Sequence, residues 1–118
     1  KGGDAVSVVF VKMYIDAIHS GMIADMGMER WTTLCVLASF MNEKGECYPS
    51  QDVIAHRLGV SRATANARIQ RLCKYRWNGK PIVEKKRVRG EGGKWANVVY
   101  RITDACPLTI FKPETMSR

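Results

Sequence analysis

The sequence predicts an α+β domain: a three-helix core followed by a β-hairpin, with an extra strand ahead of the helices. Three observations carry that expectation. Two short amphipathic segments, 51–58 and 62–76, meet at a glycine corner. A wider apolar stripe over 28–42 precedes them. After Pro81 the periodicity changes from helical to alternating, over 82–103.

The stretch from Ser50 to Arg76 organises the rest. Ser50, behind Pro49, is a good N-cap, because its hydroxyl can accept an orphan backbone N–H. Asp52 places a negative charge in the first turn, beside the positive end of the helix dipole. Ile54, Ala55 and Leu58 follow helical spacing, and Gly59 can take the positive φ that ends the helix. Val60 plugs the corner and Ser61 caps the next helix. That helix, 62–76, has a core stripe at Ala65, Ile69 and Leu72. Its opposite face carries Ala63, Ala67, Gln70, Arg71 and Lys74, with Asn66 on one flank and Thr64 and Arg68 on the other. A capped corner of this kind reads as a helix-turn-helix with 62–76 as the recognition helix.

The helix over 28–42 is read as the scaffold behind this pair. Trp31, Leu34, Cys35, Ala38 and Met41 form one stripe, widened by Leu37 and Phe40. Asn42 to Glu46 is a polar turn. Ahead of the scaffold, residues 6–13 are β-branched and aromatic and read as a strand covered on both faces. Short helical turns follow at 14–19 and 22–26.

Gly79 and Pro81 end the recognition helix. Val83, Lys85, Arg87 and Arg89 then alternate onto one basic face of a strand. Gly90 to Gly93 is a loop tip, and residues 97–103 return with Val98, Tyr100 and Ile102 on one side. A hairpin in this place is the wing of a winged helix-turn-helix, and the first strand is expected to join its sheet. The domain is therefore drawn as 6–104, with a flexible N-terminus at 1–5 and a tail or linker at 105–118.

A chain of 118 residues supports one core. Its 46% hydrophobic and 25% charged residues are ordinary for a globular domain. The net charge of +8 and pI near 9.6 are not, and they favour a polyanionic partner, nucleic acid ahead of an anionic membrane. No apolar run approaches the length of a membrane span, no signal peptide is visible, and the missing initiator Met suggests an excised fragment. Cys35, Cys47, Cys73 and Cys106 show no Cys-x-x-Cys spacing. They read as reduced thiols of a cytoplasmic protein, with Cys35 and Cys73 on apolar helix faces, rather than as disulfides or metal ligands. No phosphate loop, paired-His motif or nucleophile elbow appears. Asp16, His19 and Asp25 match no catalytic template. The expectation is a non-enzyme without cofactor, metal or small-molecule substrate.

The chemistry of the recognition face fits duplex DNA. Small side chains let a helix backbone sit deep in the major groove. Asn and Gln can bond adenine bidentately, Arg can do so to guanine, and an Ala methyl can touch thymine. Arg62, Ala63, Asn66, Ala67 and Gln70 are the expected base-reading set, since they occupy the first turns of the helix. Ser50, Ser61, Thr64, Arg68, Arg71 and Lys74, with Lys85, Arg87, Arg89 and Lys94 of the wing, are the expected backbone contacts. The bland alternatives are a solvated helix corner and a solvated charged hairpin.

Three segments together carry a family resemblance: Trp31 to Phe40, Gly45 to Gln51, and the string Ile54-Ala55-x-x-Leu58-Gly59-Val60-Ser61-Arg62. They resemble the winged-helix N-terminal domains of Gram-positive replication initiators, found in plasmid initiators, phage replisome organisers and relatives of the primosomal protein DnaD. The resemblance covers about 28–103. It implies double-stranded DNA as partner. A homodimer on repeated half-sites is one expected arrangement for such a reader. It also implies a separate C-terminal domain that recruits other replication factors. Ala65 departs from the pattern, which usually has Val or Ile there, and suggests a closer seat of this helix on its scaffold or a looser core. Transcriptional regulators share the motif, and a winged helix used for protein contact or self-assembly is a third reading.

Overall fold

A computed structural model describes residues 10–89 and 95–111. In chain order the elements are β1 (Phe10–Met13), α1 (Asp16–His19), α2 (Met22–Met26), α3 (Met28–Ala38), β2 (Glu46–Cys47), α4 (Gln51–Leu58) and α5 (Arg62–Lys74). They are followed by β3 (Arg76–Trp77), β4 (Lys80–Pro81), β5 (Val83–Arg89), β6 (Trp95–Ile102) and β7 (Leu108–Phe111). Helices α3, α4 and α5 pack on one another, and β5 and β6 form the hairpin behind α5. This is the winged helix-turn-helix that the sequence predicts.

The core follows from the apolar periodicities. Leu34 and Leu37 of α3, Ile54 of α4, and Ala65, Ile69 and Leu72 of α5 are fully buried together. Ile82, Val83 and Tyr100 close the cluster from the hairpin side. Thr33 is the one buried polar residue among those described, and its hydroxyl donates to the Glu29 carbonyl one turn back. Burying a hydroxyl is tolerable when it is bonded in this way.

Several boundaries differ from the sequence reading. Helix α3 ends at Ala38, not at residue 42. The Asn42 side chain accepts from the Lys44 and Glu46 amides, so it holds a turn that competes with further helix. Met41 stays in the core all the same. Cys35 is exposed rather than on the buried stripe, and the buried thiols are Cys47 and Cys106. Burial pushes these two up to about 12 and about 11. Helix α5 stops at Lys74 rather than at 76, and Tyr75 turns to extended backbone. Asn78 and Gly79, both at positive φ, make the tight turn joining β3 to β4. Asn-Gly is the preferred pair for a two-residue hairpin, a signal present in the sequence.

The N-terminal strand differs most. Strand β1 does not join the wing sheet. It pairs antiparallel with β7, so residues 105–111 are part of the fold rather than a linker. Cys106 and Leu108 are buried, and the Tyr14 amide donates to the Pro107 carbonyl. The apolar run after Pro107 gives the strand its partner. Nor is β1 covered on both faces, because Phe10 and Met13 are exposed. The third strand of the wing sheet is β2, paired with β6 at Glu46↔Arg101 and Cys47↔Tyr100. Expectations for residues 1–9, the 90–94 tip with Lys94, and residues 112–118 lie outside the described residues.

The 42–46 turn joins scaffold to sheet at Gly45. Its carbonyl accepts from the Ile102 amide at 2.7 Å, and its φ is +80°. A Cβ there would lie 2.8 Å from the Ile102 carbonyl oxygen. Gly45→Ala therefore combines strained backbone with a clash. It should lower the unfolding free energy by about 1–3 kcal/mol, measured by urea denaturation. A loss under about 0.5 kcal/mol would show that the turn relaxes without cost.

Candidate nucleic-acid interface

The interface is set by how α4 and α5 begin and end. The Ser50 hydroxyl accepts from the Val53 amide at 3.2 Å. Gly59 closes α4 at φ 73°, and the Val60 amide donates to the Ala55 carbonyl across the corner. Ser61 then accepts from the Thr64 amide at 3.1 Å and donates to the Thr64 hydroxyl at 3.0 Å. These caps satisfy orphan groups at the helix ends and fix the angle at which α5 leaves the corner.

With Ala65, Ile69 and Leu72 inside, the opposite side of α5 faces outward. Arg62, Ala63, Thr64, Gln70, Arg71 and Lys74 are exposed, while Asn66, Ala67 and Arg68 are half-buried. The structure thus brings Arg62, Ala63, Asn66, Ala67 and Gln70 to one end and side of one helix. Asn66 is not a loose surface amide. Its Oδ1 accepts from Gln51 Nε2 of α4 at 3.0 Å. Arg62 lies 3.5 Å from the Asp52 carboxylate, with both side chains well exposed.

The remaining flank of α5 is engaged with the scaffold. Arg71 Nε donates to Glu29 Oε2 at 2.6 Å, and Arg68 Nε lies 3.8 Å from Glu29 Oε1. The bond from Arg71 holds the Glu29 carboxyl below the usual carboxylate range, and Arg71 is raised in turn. Two of the expected backbone-contacting arginines are therefore turned toward α3. Below them, the Tyr75 hydroxyl donates to Asp25 at 2.6 Å, and the Arg30 guanidinium sits 5.4 Å from the Tyr75 ring centre. Burial, with the Asp25 carboxylate beside it, pushes the Tyr75 phenol up to about 12. Asp25 thus has a structural partner, apart from Asp16 and His19.

The hairpin register decides which wing residues face α5. Val83 pairs with Ile102, Lys85 with Tyr100, and Arg87 with Val98. Directly opposed residues share a face, so Lys85 and Arg87 lie on the side of buried Val83, Tyr100 and Ile102. Lys85 acts on the Cys73 thiol of α5, lowering it against the upward push of burial. Glu84 and Lys86 lie on the other face, where Glu84 meets Arg101 at 3.3 Å. Between Arg87 and Arg89 the register shifts, since Arg89 pairs with Trp95. This bulge interrupts the simple alternation expected for 83, 85, 87 and 89. The side chains of Arg89 and Trp95 lie outside the description. Among the described residues, Arg57, Lys74, Lys85 and Lys86 have no acidic partner.

Sequence reasoning missed Gln51 and Glu29. Both contact α5 across the fold, 15 and 42 residues from their partners, so no local pattern marks them. A concavity of about 360 Å³ opens elsewhere, lined by Tyr14, Met41, Gly45, Ile102 and Cys106 among others. Among the described residues, no group of three His, Cys, Asp or Glu could hold a metal ion. None of the described helices is long and apolar enough to cross a membrane.

The fold defines the class as a winged helix-turn-helix domain. A family model described as a helix-turn-helix domain matches residues 27–77, from the start of α3 through β3. No curated protein and no solved structure matches the chain.

The ion pairs on α5 give a direct expectation. Glu29→Gln removes the charge that holds Arg68 and Arg71. Each guanidinium that then reaches a phosphate should steepen the slope of log K against log[salt] by about 0.9. Affinity for any duplex should rise at low salt, measured by fluorescence anisotropy across a salt series. An unchanged slope would restrict both arginines to joining α5 to α3.

Proposed function

We propose that this chain binds double-stranded DNA sequence-specifically, with α5 in the major groove and the β5–β6 hairpin along the backbone. One observation carries the reading. Arg62, Asn66 and Gln70 stand on an outward helix side interleaved with Ala63 and Ala67, beside a strand whose Lys85 and Arg87 lie on the face that packs toward α5. Small residues allow close approach, the amides read base edges, and the wing cations neutralise phosphates. Ser50, Ser61 and Thr64 stand at the starts of α4 and α5, where backbone amides and helix dipoles favour an anion. Lys74 extends the cationic surface at the far end of α5.

The domain acts, in this reading, as the non-enzymatic DNA-reading part of a replication initiator or mobile-element protein. Support for that process is the sequence resemblance over 28–103. Selection of bound duplexes from a random library would supply the site. Half-sites repeated about one helical turn apart would indicate that two copies bind together.

Two measurements separate base reading from backbone binding. Gln70→Ala should lose roughly 1–3 kcal/mol on the selected duplex and little on a scrambled one. Equal losses on both would reassign Gln70 to the backbone. Replacing Lys85 and Arg87 together with Ala should weaken both duplexes alike and flatten the salt slope by about one to two units. An unchanged slope would show that the wing does not touch phosphates.

A further inference from the structure

The half-buried bond between Gln51 and Asn66 joins the start of α4 to the reading side of α5. An asparagine amide can present either end to a base, and the two ends read opposite patterns. Here the end is fixed. Gln51 Nε2 donates to Asn66 Oδ1 at 3.0 Å, so the carbonyl end faces α4 and the Nδ2 donors are left for the groove. Gln51 has its own reason to hold that orientation. The Tyr100 hydroxyl of β6 is buried, lacks a hydrogen bond of good geometry, and lies beside Gln51. The Gln51 amide acts on that phenol as a donor, lowering it against the upward push of burial, so the Gln51 nitrogen faces both Tyr100 and Asn66.

We infer that Gln51 is a positioning residue that orients the Asn66 amide, so that Asn66 offers donors to an acceptor-rich base edge, that of guanine. The inference rests on the proposed reading of α5 and adds to it which base Asn66 prefers. Guanine presents two acceptors, O6 and N7, in the major groove. Adenine presents an acceptor beside a donor, which suits an asparagine free to use both its ends.

The test is selection from a random duplex library with the wild-type chain and with Gln51→Ala, Gln51→Glu, Asn66→Ala and Gln70→Ala. Thermal melts confirm that each variant is folded. Asn66→Ala should remove the preference at one base pair and leave the others. Gln51→Ala should lower the guanine-over-adenine preference at that same pair by roughly tenfold. Gln51→Glu offers only acceptors, so it should invert the Asn66 amide and move the preference toward adenine or cytosine, whose edges donate. Loss of packing alone would not produce that switch. A Gln51→Ala profile identical to wild type would overturn the inference. So would an unchanged Asn66→Ala profile, and if Gln70→Ala still shifted its own base pair, the α5 reading would survive. If no α5 variant shifted any base pair, that reading would fall with it.

Discussion

The seat of α5 on α3 and α4 is the constraint on which the rest of this molecule depends. Ala65, Ile69 and Leu72 are almost wholly excluded from water. With those three inside, helical geometry leaves no choice about which residues point out. Ala65 matters most here, because a methyl group at the contact lets the helix lie close against its neighbours. The corner at Gly59 and the cap at Ser61 then set the direction of α5. The wing rests on the same core through Ile82, Val83 and Tyr100, so hairpin and helix are positioned together.

Charge is distributed unevenly around α5, and the distribution bears on how DNA would be met. Arg68 and Arg71 close onto Glu29, and Arg62 approaches Asp52. Exposed ion pairs of this kind contribute little to stability, because solvent screens them. They do decide where long side chains point. The side turned to α3 is thereby a joint, whereas the side bearing Ala63, Ala67, Gln70 and Lys74 remains open. Net charge alone, at +8, would not distinguish the two.

Much of the fold was legible because its signals are local. Ser50, Gly59 and Ser61 mark helix ends by chemistry confined to a few residues, and the spacing of Ile69 and Leu72 shows a buried side directly. The end of α3 was misread because its stripe continues to Met41, while the Asn42 turn that stops the helix acts through side-chain acceptance from later amides. The β1–β7 pairing escaped because its strands come from opposite ends of the described chain. Asn78-Gly79 carries two signals at once, a helix stop and a two-residue hairpin turn, and the pairing of Trp77 with Lys80 shows the turn. For the interface, the residue set on α5 could be read from periodicity. Its restraints, Gln51 on Asn66 and Glu29 on Arg71, are tertiary and left no trace in spacing.

The most direct test of this account is an amide chemical-shift titration of the isotopically labelled chain with its selected duplex. Residues 62–70 of α5 and 85–87 of β5 should show the largest changes, with little change in β1, α1 and β7. Changes centred on β1 and α1, or none at a duplex excess in low salt, would contradict the claim that α5 and its wing form the DNA-binding surface.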